Sequence, residues 1–233
     1  MNQYKHVLVV GGCGNLGKAV VRAFRDTWKV ASIDINTNDE AHFNYTLNEN
    51  FGSKSSLEEL KDKLTGFSKN YDSIISVAGG FQIGSVQDPE ILEKWRLMSK
   101  LNVESSLLSA YIASKTLVDN GLLVFTGAYG PFKQPTPVMM AYGAAKTAVH
   151  GIGLGMSEKE DIPLDSSVVT ILPPTMDTPQ NREAMPDADR KDWVHPDQVA
   201  SLLRMWSDGK NRPASGSFAG LKNINGNVIP EFL

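Results

Sequence analysis

The sequence predicts an α/β fold: a doubly wound parallel sheet of about seven strands in a single domain, residues 1–233. Three observations predict it. Short strand-like apolar runs alternate with segments of helical period along most of the chain. A glycine-rich turn stands between the first such run and the first helical segment, and the second run ends on a carboxylate, Asp34. Right-handed crossovers between parallel strands put helices on both faces of the sheet, which makes the fold of Rossmann type.

HVLVV (6–10) has the length of a short buried strand, and the apolar residues of NLGKAVVRAF (15–24) recur at helical spacing. KVASIDI (29–35) is the second strand. SLEELKDKL (56–64) is a helix opening on Ser56 and Glu59 at capping-box spacing. DSIISVAGG (72–80) is a strand ending in glycines, and 89–118 reads as helix, either continuous or broken once. A strand follows at LLVFTG (122–127), a helix at 138–158, a strand at SVVTIL (167–172), a helix at 196–207 and a last strand at SGSFAGL (215–221). The stretch 173–196 has no period, and so long a loop inside a compact domain is read as a substrate lid or binding loop, with a partly disordered insertion as the alternative.

Hydrophobic residues at 41% and charged residues at 21% are ordinary for a globular chain, and 233 residues suffice for a substantial core. A net charge of −3 without a basic cluster gives no reason to expect a nucleic-acid or anionic-membrane partner. The single cysteine, Cys13, excludes an intrachain disulfide and suggests a reducing compartment. With no signal-like start and no apolar run of about 18 residues, the cytoplasm is the expected location. His6, His42, His150 and His195 are scattered, so no metal site is expected.

VVGGCGNLG (9–17) joins the first strand to the first helix, and Gly12, Gly14 and Gly17 satisfy Gly-x-Gly-x-x-Gly. Such glycines allow a tight turn, close approach to a pyrophosphate and close helix–strand packing, while the helix N-terminus offers N–H groups to the phosphates. Gly11, Asn15 and Leu16 complete the candidate dinucleotide loop. Asp34 falls 17 residues beyond Gly17, where a carboxylate can bind the ribose hydroxyls. No Lys or Arg follows it in DINTND, which favours NADH over NADPH. Cys13 reads as a small filler and Lys18 as a solvated first-turn side chain.

Ligands in such folds bind beyond the carboxyl ends of the strands, here VAGG (77–80), FTGAYG (125–130) and ILPPTMDT (171–178). Tyr142 follows the second of these, with Lys146 one helical turn on. Free tyrosine titrates near 10, and a cation within about 4–6 Å favours the phenolate. With the glycine loop, Asp34, the AGG at 78–80, Tyr142-x-x-x-Lys146, Pro173 and Thr178, the chain resembles the short-chain dehydrogenase/reductase family.

That resemblance implies Tyr142 as proton donor and Lys146 as the group that lowers its pKa and holds the nicotinamide ribose. It also implies that Ala78, Gly79, Pro173, Thr175 and Thr178 border the cofactor. Family members dimerise through two long helices, which implies a homodimer through 99–118 and 142–156; the small residues Gly143, Ala144, Ala148, Gly151 and Gly155 suit a closely approached helix face. The chain departs from the family in four places. Asn15 replaces a glycine, SVAGG replaces Asn-Asn-Ala-Gly, and Pro173-Pro174 replaces Pro-Gly. The serine that polarises a substrate carbonyl is missing: its neighbourhood reads TGAYG, with Ala128 and Tyr129. Asn102 stands where the family has a proton-relay asparagine, and reads equally well as a polar residue on a helix.

Without that hydroxyl, developing oxyanion charge loses a donor, so the site suits an electron-poor conjugated C=N system better than a ketone. The chain is similar to the family branch that reduces quinonoid dihydropteridines in 177–189, Trp193, 210–217 and YGAAKTAVHG. The implied reaction is hydride transfer from NADH to a quinonoid dihydropterin, giving tetrahydropterin. Gly80, Phe81, Ala128, Tyr142, Met185 and Trp193 would contact the substrate, with Arg182 a further lid contact. A carbonyl or alcohol reductase of another substrate and a non-catalytic NAD-binding sensor remain as alternative readings.

Overall fold

A computed structural model describes residues 4–48, 51–158 and 160–233. Its strands are β1 (His6–Val10), β2 (Lys29–Asp34), β3 (Phe43–Thr46), β4 (Tyr71–Ser76), β5 (Leu117–Thr126), β6 (Ser167–Leu172), β7 (Ser217–Ile224) and β8 (Asn227–Phe232). They form one sheet in the order β3-β2-β1-β4-β5-β6-β7-β8. All neighbours are parallel except β7 and β8. The chain leaves β1 toward β2 and β3, then returns to β4 on the other side. That reversal opens the crevice where doubly wound sheets bind ligands.

The helices are α1 (Asn15–Arg25), α2 (Lys54–Phe67), α3 (Ile91–Met98), α4 (Ser105–Thr116), α5 (Tyr129–Lys133), α6 (Met140–Ser157), α7 (Pro179–Ala184) and α8 (Pro196–Ser207). Successive strand side chains point to opposite faces, and the core divides accordingly. Val7 and Val9 pack with Phe24 of α1 and Leu203 and Trp206 of α8. Leu8 and Val10 pack with Leu60 and Leu64 of α2, Leu108 of α4 and Val149 of α6. Among the described residues no helix is long and apolar enough to cross a membrane.

Two strands lie beyond the expected set. β3 is four residues of mixed polarity at the sheet edge, too short to show a period. β8 carries Pro230, which an edge strand tolerates. It is joined to β7 by Asn225 and Gly226, both at positive φ (52° and 83°), as a tight two-residue hairpin requires. The helix expected at 56–64 begins earlier: Ser53 is the N-cap and accepts from the Ser56 N–H at 3.2 Å, which displaces the expected Ser56–Glu59 capping box. The break in 89–118 is a π-helical turn, Ser99–Glu104, and Leu117 and Val118 already belong to β5.

Candidate active site

The glycine loop is built by close backbone contact. Gly11 has φ +92°, and a Cβ there would lie 2.5 Å from the Ala78 Cα; on α1, a Cβ at Gly17 would lie 1.9 Å from the Gly11 carbonyl oxygen. No other residue fits either place. Gly14 caps α1 without a side-chain hydrogen bond, and the first turn carries no acidic residue. Among the described residues no side chain accepts from its first-turn N–H groups, which with the positive dipole end suit an anion. Asn15 opens the helix and Leu16 is buried beneath the loop. The Asn38 side-chain amide donates to the Gly12 carbonyl at 2.7 Å.

Asp34, at the end of β2, accepts from the Cys13 N–H at 2.8 Å and the Ile35 N–H at 2.7 Å. It ties the second strand to the loop. Burial first, then the Asp34 charge, pushes the Cys13 thiol above its ordinary range. Cys13 is thus a protonated filler.

Tyr142 and Lys146 lie one turn apart on α6. The Lys146 ammonium, 5% exposed, donates to the Thr126 carbonyl at 2.8 Å, at the end of β5. Half-buried Tyr142 meets the edge of Phe81, ring centroids 4.9 Å apart. The expectation that the lysine lowers the phenol is not met. Burial pushes Tyr142 up to about 12 and pulls Lys146 down to about 8. The ammonium is 5.9 Å from the ring centre, and its close bond goes to Thr126 instead.

Asn102 is fully buried in the π turn. Its amide accepts from the Gly80 N–H at 3.3 Å and donates to the Gly80 carbonyl at 3.2 Å and the Met98 carbonyl at 2.9 Å. A Cβ on Gly79 would lie 2.8 Å from the Asn102 Oδ1 and 3.4 Å from the Lys146 Nζ, so both side chains converge on Gly79. Such wide turns recur at functional sites. Here the turn brings a buried amide to the strand end, where it clamps the Gly80 peptide.

Ala128 is buried, and its N–H donates to the His150 Nε2 at 3.2 Å. The next N–H, of Tyr129, donates to the Pro173 carbonyl at 3.1 Å. The 173–196 stretch is more ordered than its sequence suggests. Thr178 caps α7, accepting from the Asn181 N–H at 3.2 Å. The Val194 N–H donates to the Thr175 carbonyl at 3.1 Å, and Arg182 grips Asp177 with two nitrogens. The Asn15 amide donates to the Gln180 side chain at 2.6 Å, joining the glycine loop to α7.

Met185 follows α7 and is exposed. Trp193 is nearly buried: its carbonyl accepts from Asn223 at 2.8 Å and its ring lies 5.6 Å from the Arg190 guanidinium. The small residues of α6 divide. Gly143 packs on Thr136, whereas Gly151 and Gly155 are exposed, with open space where a Cβ would stand. Sequence reasoning passed over His150, Gln180, Asn38 and Thr126. Only His150 carried a signal, its spacing of four from Lys146 and eight from Tyr142.

The profile of the short chain dehydrogenase family matches residues 5–189. A dihydropteridine reductase of Dictyostelium discoideum is 37% identical over 219 residues, covering 91% of this chain and 92% of that protein. Among solved structures, a short-chain dehydrogenase/reductase from Serratia marcescens is 18% identical with a TM-score of 0.82, covering 96% of this chain and 98% of its own. A short chain dehydrogenase from Shigella flexneri, complexed with NADP, is 18% identical with a TM-score of 0.76, covering 93% and 96%. These two share the fold. With the glycine loop, the sheet order and the Tyr142–Lys146 pair in place, the chain belongs to the short-chain dehydrogenase family, a family of oxidoreductases.

Proposed function

We propose that the chain is an NADH-dependent reductase of quinonoid dihydropteridines, yielding tetrahydropteridines, with Tyr142 as proton donor. The residues fit a dinucleotide. The glycine cradle has no room for Cβ atoms at Gly11 and Gly17, and among the described residues no side chain accepts from the first-turn N–H groups of α1. The pyrophosphate would lie along Gly11, Gly12, Gly14, Asn15, Leu16 and Gly17, the adenosine ribose at Asp34, and the nicotinamide between Ala78, Gly79, Pro173, Thr175 and Thr178. That no Lys or Arg follows Asp34 in DINTND favours NADH, because a 2′-phosphate would meet the Asp34 charge. When bound, NADH supplies the hydride.

The observation that carries the substrate reading is the wall opposite this end of α6. Ala128 has no hydroxyl, and its N–H is already given to His150. Removing one oxyanion donor typically costs about 10²–10³ in rate, so a ketone is poorly served. A quinonoid dihydropterin accepts hydride into a conjugated C=N system and needs one proton at nitrogen. Hydride and one proton together would saturate that bond, the proton coming from Tyr142.

With burial holding Tyr142 near 12, the phenol keeps its proton at neutral pH and can deliver it. Lys146, largely protonated below about 8, holds the Thr126 carbonyl and offers its remaining N–H groups to a ribose. Phe81, edge-on to Tyr142, forms an aromatic wall with Gly80. Residues 173–196 act as the lid, with Met185 and Trp193 nearest the substrate on closure. The relative from Dictyostelium discoideum supports the same reading. Packing of α4 and α6 from two copies would complete a homodimer.

The test is NADH oxidation with chemically generated quinonoid dihydropteridine, beside a panel of ketones and aldehydes. Rapid dihydropteridine turnover with weak ketone turnover is expected. Ketone turnover without dihydropteridine activity overturns the proposal.

A further inference from the structure

His150 continues the row of Tyr142 and Lys146 one turn further along α6. Its ring is 7% exposed and is enclosed by Phe132 of α5 and Phe218 of β7, with centroids at 5.6 and 5.7 Å. Gly127 closes the remaining side: a Cβ there would lie 2.5 Å from the His150 Nε2. That nitrogen accepts the Ala128 N–H, so the imidazole is neutral with its proton on Nδ1. Burial, then the Lys146 charge, pulls its pKa down to about 4, which keeps it an acceptor at neutral pH.

The end of β5 is therefore tied to α6 at two points of opposite polarity. The Thr126 carbonyl accepts from Lys146, and the Ala128 N–H donates to His150. Between them the Gly127 N–H donates to the Ile171 carbonyl, and the Ala128 carbonyl accepts from the Phe132 N–H. Residue 128 is left with a methyl side chain and a backbone N–H already bonded to His150.

We propose that His150 is a positioning and specificity residue: by accepting the Ala128 N–H it fixes the substrate wall one turn from Lys146 and withdraws the backbone donor that a carbonyl substrate would use. This rests on the proposed dihydropteridine reaction for its kinetic part only. His150 acts through Ala128 and touches no reacting atom.

The experiment has two arms. In the first, ¹⁵N NMR of the wild-type chain, with no substrate added, reads the His150 tautomer and hydrogen exchange at Ala128. A protonated Nδ1, a bare Nε2 and a protected Ala128 amide are expected. A proton on Nε2, or an unprotected amide, overturns the proposal whatever the substrate is.

In the second arm, His150→Gln keeps an acceptor at similar reach and His150→Leu removes it. With quinonoid dihydropteridine, His150→Leu is expected to lose about tenfold in kcat/KM while its NADH Kd stays unchanged, and His150→Gln to stay close to wild type. Equal loss in both variants, or no loss in His150→Leu, overturns the positioning role. Should His150→Leu fail to fold, His150→Gln and the NMR arm still decide. Absence of any wild-type dihydropteridine turnover would count against the proposed function and leave the NMR result standing.

Discussion

Replacing Lys146 with methionine should remove a specific alkaline rise in stability. The ammonium is 5% exposed, and burial draws its pKa from the ordinary 10.5 to about 8. Between those values the unfolded chain holds a proton that the folded chain has released, so stability increases with pH. The cost of the buried charge is complete below about pH 8 and vanishes as pH rises through 10.5. That gap corresponds to about 3 kcal/mol at neutral pH, of which about 2 kcal/mol is recovered between about pH 7 and 10.

In a chain of 233 residues each kcal/mol moves Tm by about 2–4 °C. The Tm of wild type should therefore gain roughly 5 °C on Lys146→Met across that range. Tyr142 works in the opposite sense: its pKa is raised from 10 to about 12, so its contribution falls away only above pH 10, beyond the window. The offset at neutral pH also contains the lost bond to the Thr126 carbonyl, so the slope and not the offset carries the test. Thermal unfolding of both proteins by circular dichroism at about pH 7, 8, 9 and 10 measures it. A Tm difference that is constant with pH would refute the reasoning.

Tyr142→Phe keeps the ring against Phe81 but removes the proposed proton source. Dihydropteridine reduction should fall by about 10²–10⁴-fold with NADH affinity unchanged, by steady-state rates and fluorescence titration; undiminished turnover would disprove the role. Asp34→Ala strips the acceptor from the Cys13 and Ile35 N–H groups. NADH should bind about tenfold more weakly and NADPH should lose less, so titrations that leave the ratio of the two unaltered would remove Asp34 from the ribose. Asn15→Gly and Gln180→Leu each break the bond between the glycine loop and α7. Stopped-flow release of NADH should quicken by about three- to tenfold in either, and no further in the double variant. Additive effects would mean that the two residues act separately.

The inner parallel strands were legible because they are buried on both faces and read as continuous apolar runs, HVLVV and LLVFT among them. β3 and β8 lie at the edges, where half-burial and Pro230 erase that signature, and the Asn225–Gly226 turn signal for the hairpin was passed over. The glycine loop was legible because backbone crowding there admits only glycine, and Asp34 because it ends the second strand 17 residues beyond Gly17. Of the π turn only the alternative of one break in 89–118 was legible, since an extra residue shifts the apolar phase but leaves no residue type that marks a widened turn.

The sign at Tyr142 was missed for a related reason. A spacing of four places the lysine near the phenol but does not reveal that its bond goes to the Thr126 carbonyl, or that burial acts on both groups. His150 was counted only as one scattered histidine. Its partner Ala128 is 22 residues earlier, and a hydrogen bond from a backbone N–H leaves no mark on residue type.

The central claim is that an acid–base pair facing a wall without a donor selects a conjugated C=N substrate over a carbonyl. The most direct measurement is the ratio of kcat/KM for quinonoid dihydropteridine to that for the best ketone, in wild type and in Ala128→Ser. The account predicts a ratio of about 10² or more in wild type, reduced in Ala128→Ser by a gain in ketone turnover. A wild-type ratio below one, with the serine making no difference to the ketone, would contradict it.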